Sequence, residues 1–207
     1  MCNQFRLPNL KQIQQYLKSD LDLPLVTPNF DIQAQDIFPN QVAPVLLYQN
    51  GQLQLSNKKW GYPSPVDPKK PLFNARIERF YDSAPSMWDK SFAKQRCLIL
   101  TEKFFEYAKT THIAENGRKY HDRYAFRTNQ PLTLIAGIYD QDYFSMVTTA
   151  PNKDMAPIHN RMPLVVMPNE LRRWLFQNFA SLIDRKSVDL QIEKVLESNH
   201  IAGIVKW

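Results

Sequence analysis

The sequence predicts an α+β fold. Strand-like apolar runs cluster in the middle of the chain, helical periodicity lies mainly on the flanks, and nothing alternates strand with helix as a parallel α/β sheet would. The 207 residues, 43% of them hydrophobic, suffice for a sizeable core, so a single domain spanning 1–207 is the simplest organisation.

Asn9 followed by Gln12 resembles a capping box, and Leu10, Ile13 and Leu17 recur behind it at helical spacing, which predicts a helix from Leu10 to about Leu17. Pro24, Pro28 and Pro39 then punctuate an extended stretch. Val42 to Tyr48 reads as a buried strand, Asn50-Gly51 as a hairpin turn, and Leu53 and Leu55 as the return strand. Pro63, Pro65, Pro68 and Pro71 exclude helix and predict an exposed loop, whose Lys69-Lys70 pair leads into Phe73-Asn74-Ala75-Arg76. Ser86 caps a predicted helix carrying Met87, Trp88 and Phe92, ending near Lys94. Strands follow at Cys97–Leu100, Phe104–Ala108, Tyr120–Phe126, Leu132–Tyr139 and Tyr143–Thr149, with Asn116-Gly117 a further hairpin signal. After a loop or short helix beyond Pro151, Leu164–Met167 reads as an apolar strand. Leu171, Trp174, Leu175 and Phe179 mark an amphipathic helix, and a second is expected from Val188 to Leu196.

No run of about 18 apolar residues is present, so no membrane span is expected. The N-terminus lacks the basic and apolar regions of a secretory signal, and two cysteines make no disulfide framework, so the expected location is a reducing cytoplasm. With no CxxC, no HExxH and four scattered histidines, neither a metal nor a cofactor is expected. The net charge of +6 admits nucleic acid or other anionic partners.

Four polar islands interrupt the apolar pattern. The first is Cys2: once Met1 is removed, it carries a thiol and a free α-amine on adjacent carbons, a 1,2-aminothiol that closes with an aldehyde to a thiazolidine or attacks a carbonyl. The second is Asn74-Ala75-Arg76, with Glu78 close by; an Asn orients a carbonyl or hydroxyl without charge. The third is Glu106 within Phe104-Phe105-Glu106-Tyr107, where burial among aromatics would raise its pKa into the range for proton transfer. The fourth is His159-Asn160-Arg161, a possible proton shuttle beside a cation. Each has a plainer reading: an accidental second-position cysteine, a turn asparagine, a solvent-facing glutamate, an ordinary loop histidine. Arg76 and Arg161, with Lys58, Lys59, Lys69 and Lys70, could line a phosphate-binding groove or simply face solvent. Trp60 and Tyr62 could stack on a base or sugar, although core packing is the commoner use. Cys97 lies in an apolar run and reads as core.

In order, Met1-Cys2, Asn40-Gln41-Val42-Ala43-Pro44, Trp60-Gly61-Tyr62, Asn74-Ala75-Arg76-Ile77-Glu78, Arg96-Cys97-Leu98-Ile99, Phe104-Phe105-Glu106-Tyr107, Ala136-Gly137-Ile138-Tyr139 and His159-Asn160-Arg161-Met162-Pro163 resemble the SRAP family, the SOS response-associated peptidase-like proteins that process abasic sites. The resemblance runs to about residue 180. It implies a single compact α+β domain with a β-rich, barrel-like mixed or antiparallel sheet core flanked by helices; separately, the expected state is a monomer. It implies a positively charged groove for single-stranded DNA, self-removal of Met1, and a covalent thiazolidine between Cys2 and the opened sugar of an abasic site, with lyase activity a further possibility. In this reading Asn74 holds Cys2 and the sugar, Glu106 moves protons during ring formation, and His159 helps open the sugar. Arg76 and Arg161 meet phosphates, supported by Trp60, Lys69 and Lys70.

The chain departs from the family where Asn3-Gln4 replace Gly and Arg, where the 62–66 loop lacks Trp, and where Asn160 replaces Asp. Two other readings stay open at this stage: a Cys2 amidase or peptidase, and a non-catalytic single-strand binding module.

Overall fold

A computed structural model describes residues 2–114 and 117–195. The fold is two β-sheets with short helices on their flanks. The first sheet holds, in order, β14 (Gln191–Val195), β9 (Lys119–Arg127), β8 (Lys103–Ile113), β1 (Gln4–Leu7) and β3 (Gln35–Ile37). Its pairings are antiparallel.

The second sheet runs β12 (Met162–Pro163), β11 (Tyr143–Thr149), β10 (Thr133–Asp140), β7 (Arg96–Thr101), β4 (Val42–Gln49), β5 (Gln52–Trp60) and β2 (Leu25–Val26). β11 also pairs in parallel with β5, closing this sheet into a ring. β6 (Asn74–Arg76) and β13 (Val165–Val166) add to β11 and β10. The ring bears out the expected mixed-sheet core.

Local chemistry explains most boundaries. The side chain of Asn9 accepts from the Gln12 amide and that of Gln12 from the Asn9 amide, both at 2.9 Å, starting α1 (Leu10–Gln15); a π-helical turn over Tyr16–Asp20 continues it. The β4–β5 turn places Asn50 and Gly51 at φ 53° and 80°, the left-handed pair that a type I′ hairpin requires. On β10, a Cβ added at Gly137 would lie 2.9 Å from the Cys97 sulfur on neighbouring β7, so only glycine lets these strands approach.

Three predicted elements differ. The helix expected over Val188–Leu196 is instead β14, which pairs with β9 from Gln191↔Arg127 to Val195↔Arg123. Val188 and Leu190, two residues apart, are both buried, which is extended rather than helical spacing. Leu196 lies outside the described residues, as do Met1 and Asn116 of the predicted second hairpin turn. The helix expected after Ser86 begins only at α2 (Asp89–Lys94). The Asp89 carboxylate accepts the Ser86 amide at 2.9 Å and the Ser86 hydroxyl accepts the Trp88 amide at 3.3 Å, closing a turn first. The last helix, α3 (Leu171–Phe176), stops short of Phe179, which instead joins an aromatic cluster with Phe80, Phe92 and Trp174.

A band of aromatics joins the two sheets. Trp60 is fully buried, stacks on Phe144 at 6.1 Å, tilts against Phe5 at 5.1 Å, and donates its indole N–H to the Phe73 carbonyl at 2.8 Å. The expectation that Trp60 meets DNA is therefore corrected: no face of the ring is open to a base, and its only polar atom is satisfied internally.

Candidate active site

β1 is the element that aims the N-terminus. It lies between β8, in the register Gln4↔Phe105, Phe5↔Phe104 and Arg6↔Lys103, and β3, where Phe5 faces Ile37. Phe5 and Leu7 anchor it in the core. Gln4 is buried as well and donates its amide to Asp36 at 3.1 Å. Position 4 is thus an internal position in this chain.

Cys2 continues this line into a buried position. Its carbonyl accepts from the Asn74 side-chain amide at 2.9 Å, and its thiol donates to the Gln4 carbonyl at 3.4 Å. Burial, and secondarily the negative charge of Glu106, push the thiol well above its usual range. Asn74 arrives on β6, held in register by β11 through Met146↔Asn74 and Thr148↔Arg76. Among the described residues its Oδ1 is buried with no hydrogen-bond partner. A buried unpaired acceptor costs about 1–3 kcal/mol.

Glu106, on β8, is 3% exposed. Its removal from water pushes the carboxyl up to about 7. Cys2, Asn74 and Glu106 therefore converge, as a carboxyl near its titration point beside a thiol held neutral.

His159 comes from the segment after β11. Its amide donates to the Met155 carbonyl at 2.9 Å, and its Nδ1 accepts from the Arg161 amide at 3.0 Å. Partial burial, and the positive charges of Lys109 and Arg161, lower the imidazole pKa. Lys109 lies on β8, three residues beyond Glu106.

The predicted cations separate into two groups. Arg76, Lys59, Lys69 and Lys70 are exposed. Lys70 pairs with Asp67 at 3.5 Å across the proline-rich loop. Lys58 is buried, donates to the Gln141 carbonyl and lies over the Tyr139 ring, so it is corrected to a structural role. Arg161 is 14% exposed and binds Glu78 through both guanidinium nitrogens, at 2.6 and 2.9 Å, and the Thr148 carbonyl at 2.8 Å. Asp36 and Thr148 were missed from sequence because each acts through a partner distant along the chain. Among the described residues no cluster of His, Cys, Asp or Glu could hold a metal ion, and no helix is long and apolar enough to cross a membrane.

Residues 1–201 match the family described as SOS response associated peptidase. The chain is 24% identical over 189 residues to the abasic site processing protein YedK of Escherichia coli, covering 87% of this chain and 82% of that one. It is 32% identical over 102 residues to the abasic site processing protein YMR114C of Saccharomyces cerevisiae, 46% of this chain but 26% of that protein. A phage-related protein of Bordetella bronchiseptica shares the fold, with a TM-score of 0.67 at 16% identity over 95% of both chains. A second B. bronchiseptica protein superposes at 0.66 and 17% identity, over 95% of this chain and all of that one. The ordered motifs, the ring-and-sheet fold and a match over nearly the whole chain place this protein in the SOS response associated peptidase (SRAP) family.

Proposed function

We propose that this chain processes abasic sites in single-stranded DNA by forming a covalent thiazolidine through Cys2 after removal of Met1. The observation that carries this reading is the tether on Cys2: Asn74 holds its carbonyl while its thiol lies within the field of Glu106. An internal structural cysteine needs neither. The names of the sequence relatives support the same substrate.

The chemistry follows from the protonation states. The freed α-amine of Cys2 adds to the aldehyde of the opened sugar and gives a carbinolamine. Loss of its hydroxyl as water needs a proton, which Glu106 can supply because its carboxyl titrates at about 7. The resulting carboxylate takes the proton of the otherwise inert thiol. The sulfur closes on the iminium carbon, the ring nitrogen keeps the one proton it already carried, and the thiol proton stays on Glu106, which ends in the acid form it began in. One water leaves in all. Asn74 Oδ1 accepts from a sugar hydroxyl, and neutral His159 exchanges the proton needed to open the closed sugar. An imine that escapes capture by sulfur is open to β-elimination, the route to lyase activity. Holding amine, thiol and aldehyde together makes each step intramolecular, with effective molarities of about 10⁵–10⁸ M as the scale of the gain.

Intact mass spectrometry tests this reading. Purified protein should lack one methionine. Incubation with an abasic single-stranded oligonucleotide should add the mass of the DNA less one water. An active protein that retains Met1 would overturn the mechanism.

Arg76, with Lys69 and Lys70, forms the phosphate contact in this reading. Arg76→Ala should weaken binding to undamaged single-stranded DNA and lower the slope of log K against log salt by about 0.7. An unchanged slope would put the DNA path elsewhere.

A further inference from the structure

Glu78 has no role in the chemistry above, yet it is one half of a two-point ion pair beside the site. Its two carboxylate oxygens meet Arg161 Nη1 and Nη2 at 2.6 and 2.9 Å. Partial burial is the largest influence on Glu78 and works against its ionisation, but the hydrogen bonds from Arg161 and the backbone, with the positive charges of Arg161 and Arg76, together outweigh it and hold the carboxyl below its usual range. The same guanidinium reaches the Thr148 carbonyl at 2.8 Å. Thr148 lies on β11, opposite Arg76 on one side and Pro163 on the other. Glu78 follows Asn74 by four residues, and Arg161 follows His159 by two. One ion pair therefore ties the segment that holds Cys2 to the segment that holds the histidine.

The main chain of Arg161 then bears directly on His159. Nδ1 lies 3.0 Å from the Arg161 amide nitrogen and 3.1 Å from its carbonyl oxygen. A neutral imidazole accepts from the amide at Nδ1, which puts its proton on Nε2. A protonated one donates from Nδ1 to the carbonyl. Both states keep a partner without turning the ring, the property a proton carrier needs. It depends on Arg161 staying in place.

We propose that Glu78 is a positioning residue: through Arg161 it holds His159 as the Nε2–H tautomer, facing the sugar. Its effect on rate rests on the abasic-site reading above, whereas its effect on the tautomer does not. A competing use of the same geometry is that Glu78 merely masks Arg161, which would bind phosphate once released.

The test is Glu78→Gln, alone and with His159→Ala, followed by single-turnover adduct formation, affinity for undamaged single-stranded DNA, and the nitrogen chemical shifts of the His159 ring. Glu78→Gln should slow the adduct about tenfold, short of the 10²-fold or more that loss of a proton carrier costs, and leave DNA affinity within about twofold. It should add nothing in the His159→Ala background, because its effect passes through the histidine. The wild-type ring should show Nε2 protonated, and the variant a mixture of tautomers. Equal slowing in both backgrounds, a wild-type tautomer in Glu78→Gln, or tighter DNA binding at an unchanged rate would each overturn the proposal. Should Glu78→Gln fail to fold, Arg161→Lys keeps the charge but cannot form the two-point pair, and the same outcomes apply. If the wild type itself forms no adduct, the abasic-site reading fails, and the tautomer measurement still decides the role of Glu78.

Discussion

Cys2→Ala is expected to abolish the heat-stable adduct with abasic single-stranded DNA, and Cys97→Ala to leave its yield at the wild-type level. The two thiols are alike in what usually sets reactivity. Both are fully buried, and burial pushes both well above the ordinary thiol range. They differ in surroundings. The Cys97 carbonyl accepts the Trp174 indole N–H at 2.8 Å, and its sulfur packs against Gly137 between paired strands. Cys97 has no α-amine, and its thiol does not share the field of a carboxyl as Cys2 shares that of Glu106. Its replacement should cost about 1 kcal/mol of stability and nothing in chemistry. Cys2→Ser keeps the amine, so it should form a reversible imine that borohydride traps, but not the stable ring. Adduct surviving in Cys2→Ala and lost in Cys97→Ala would assign the nucleophile to the wrong residue.

Much of this site was legible in the chain because its parts are local. Cys2 is defined by the start of the chain, Glu106 by the aromatics beside it, and His159 by its arginine neighbour. The central strands were legible for the same reason: their apolar runs are continuous, as in β7, or alternate with period two, as in β5. What was not legible depends on pairing at long range. Gln4–Leu7 carries no strong strand pattern, yet it becomes β1 because β8 and β3 offer it backbone partners on both sides. The segment 191–195 becomes a strand for the same reason, its side chains mostly exposed. Trp60 could not be placed from its neighbours, since Gly61 and Tyr62 suit a binding loop equally well. Phe5 and Phe144, brought in by other strands, and Phe73, whose ring packs edge-on and whose carbonyl accepts the indole N–H, turn it inward. The Arg161–Glu78 pair spans 83 positions, and no local signal in the sequence reports it.

Glu106→Gln is expected to slow adduct formation by roughly 10²-fold while changing DNA affinity only a few-fold, because it removes a titrating proton and keeps the shape. The same substitution has a signature in stability that does not depend on DNA. Burial raises the Glu106 carboxyl from 4.5 to about 7. Below pH 4.5 it is protonated in both folded and unfolded chains and contributes no pH dependence. As pH rises above 4.5 the unfolded chain ionises first, so the folded state loses stability until the folded carboxyl also ionises near 7. At about 1.4 kcal/mol per unit, the ceiling on that loss is about 3 kcal/mol. Glutamine has nothing to ionise, so Glu106→Gln should gain on the wild type between pH 5 and pH 8, read as a denaturant midpoint at each pH. The rate loss should also separate from that of His159→Ala. A lesion supplied as a linear aldehyde bypasses sugar opening and should rescue His159→Ala more than Glu106→Gln. Equal rescue would mean that the two proton-transfer roles are divided wrongly. A wild-type rate in Glu106→Gln, with no difference in pH dependence, would remove this carboxyl from the site.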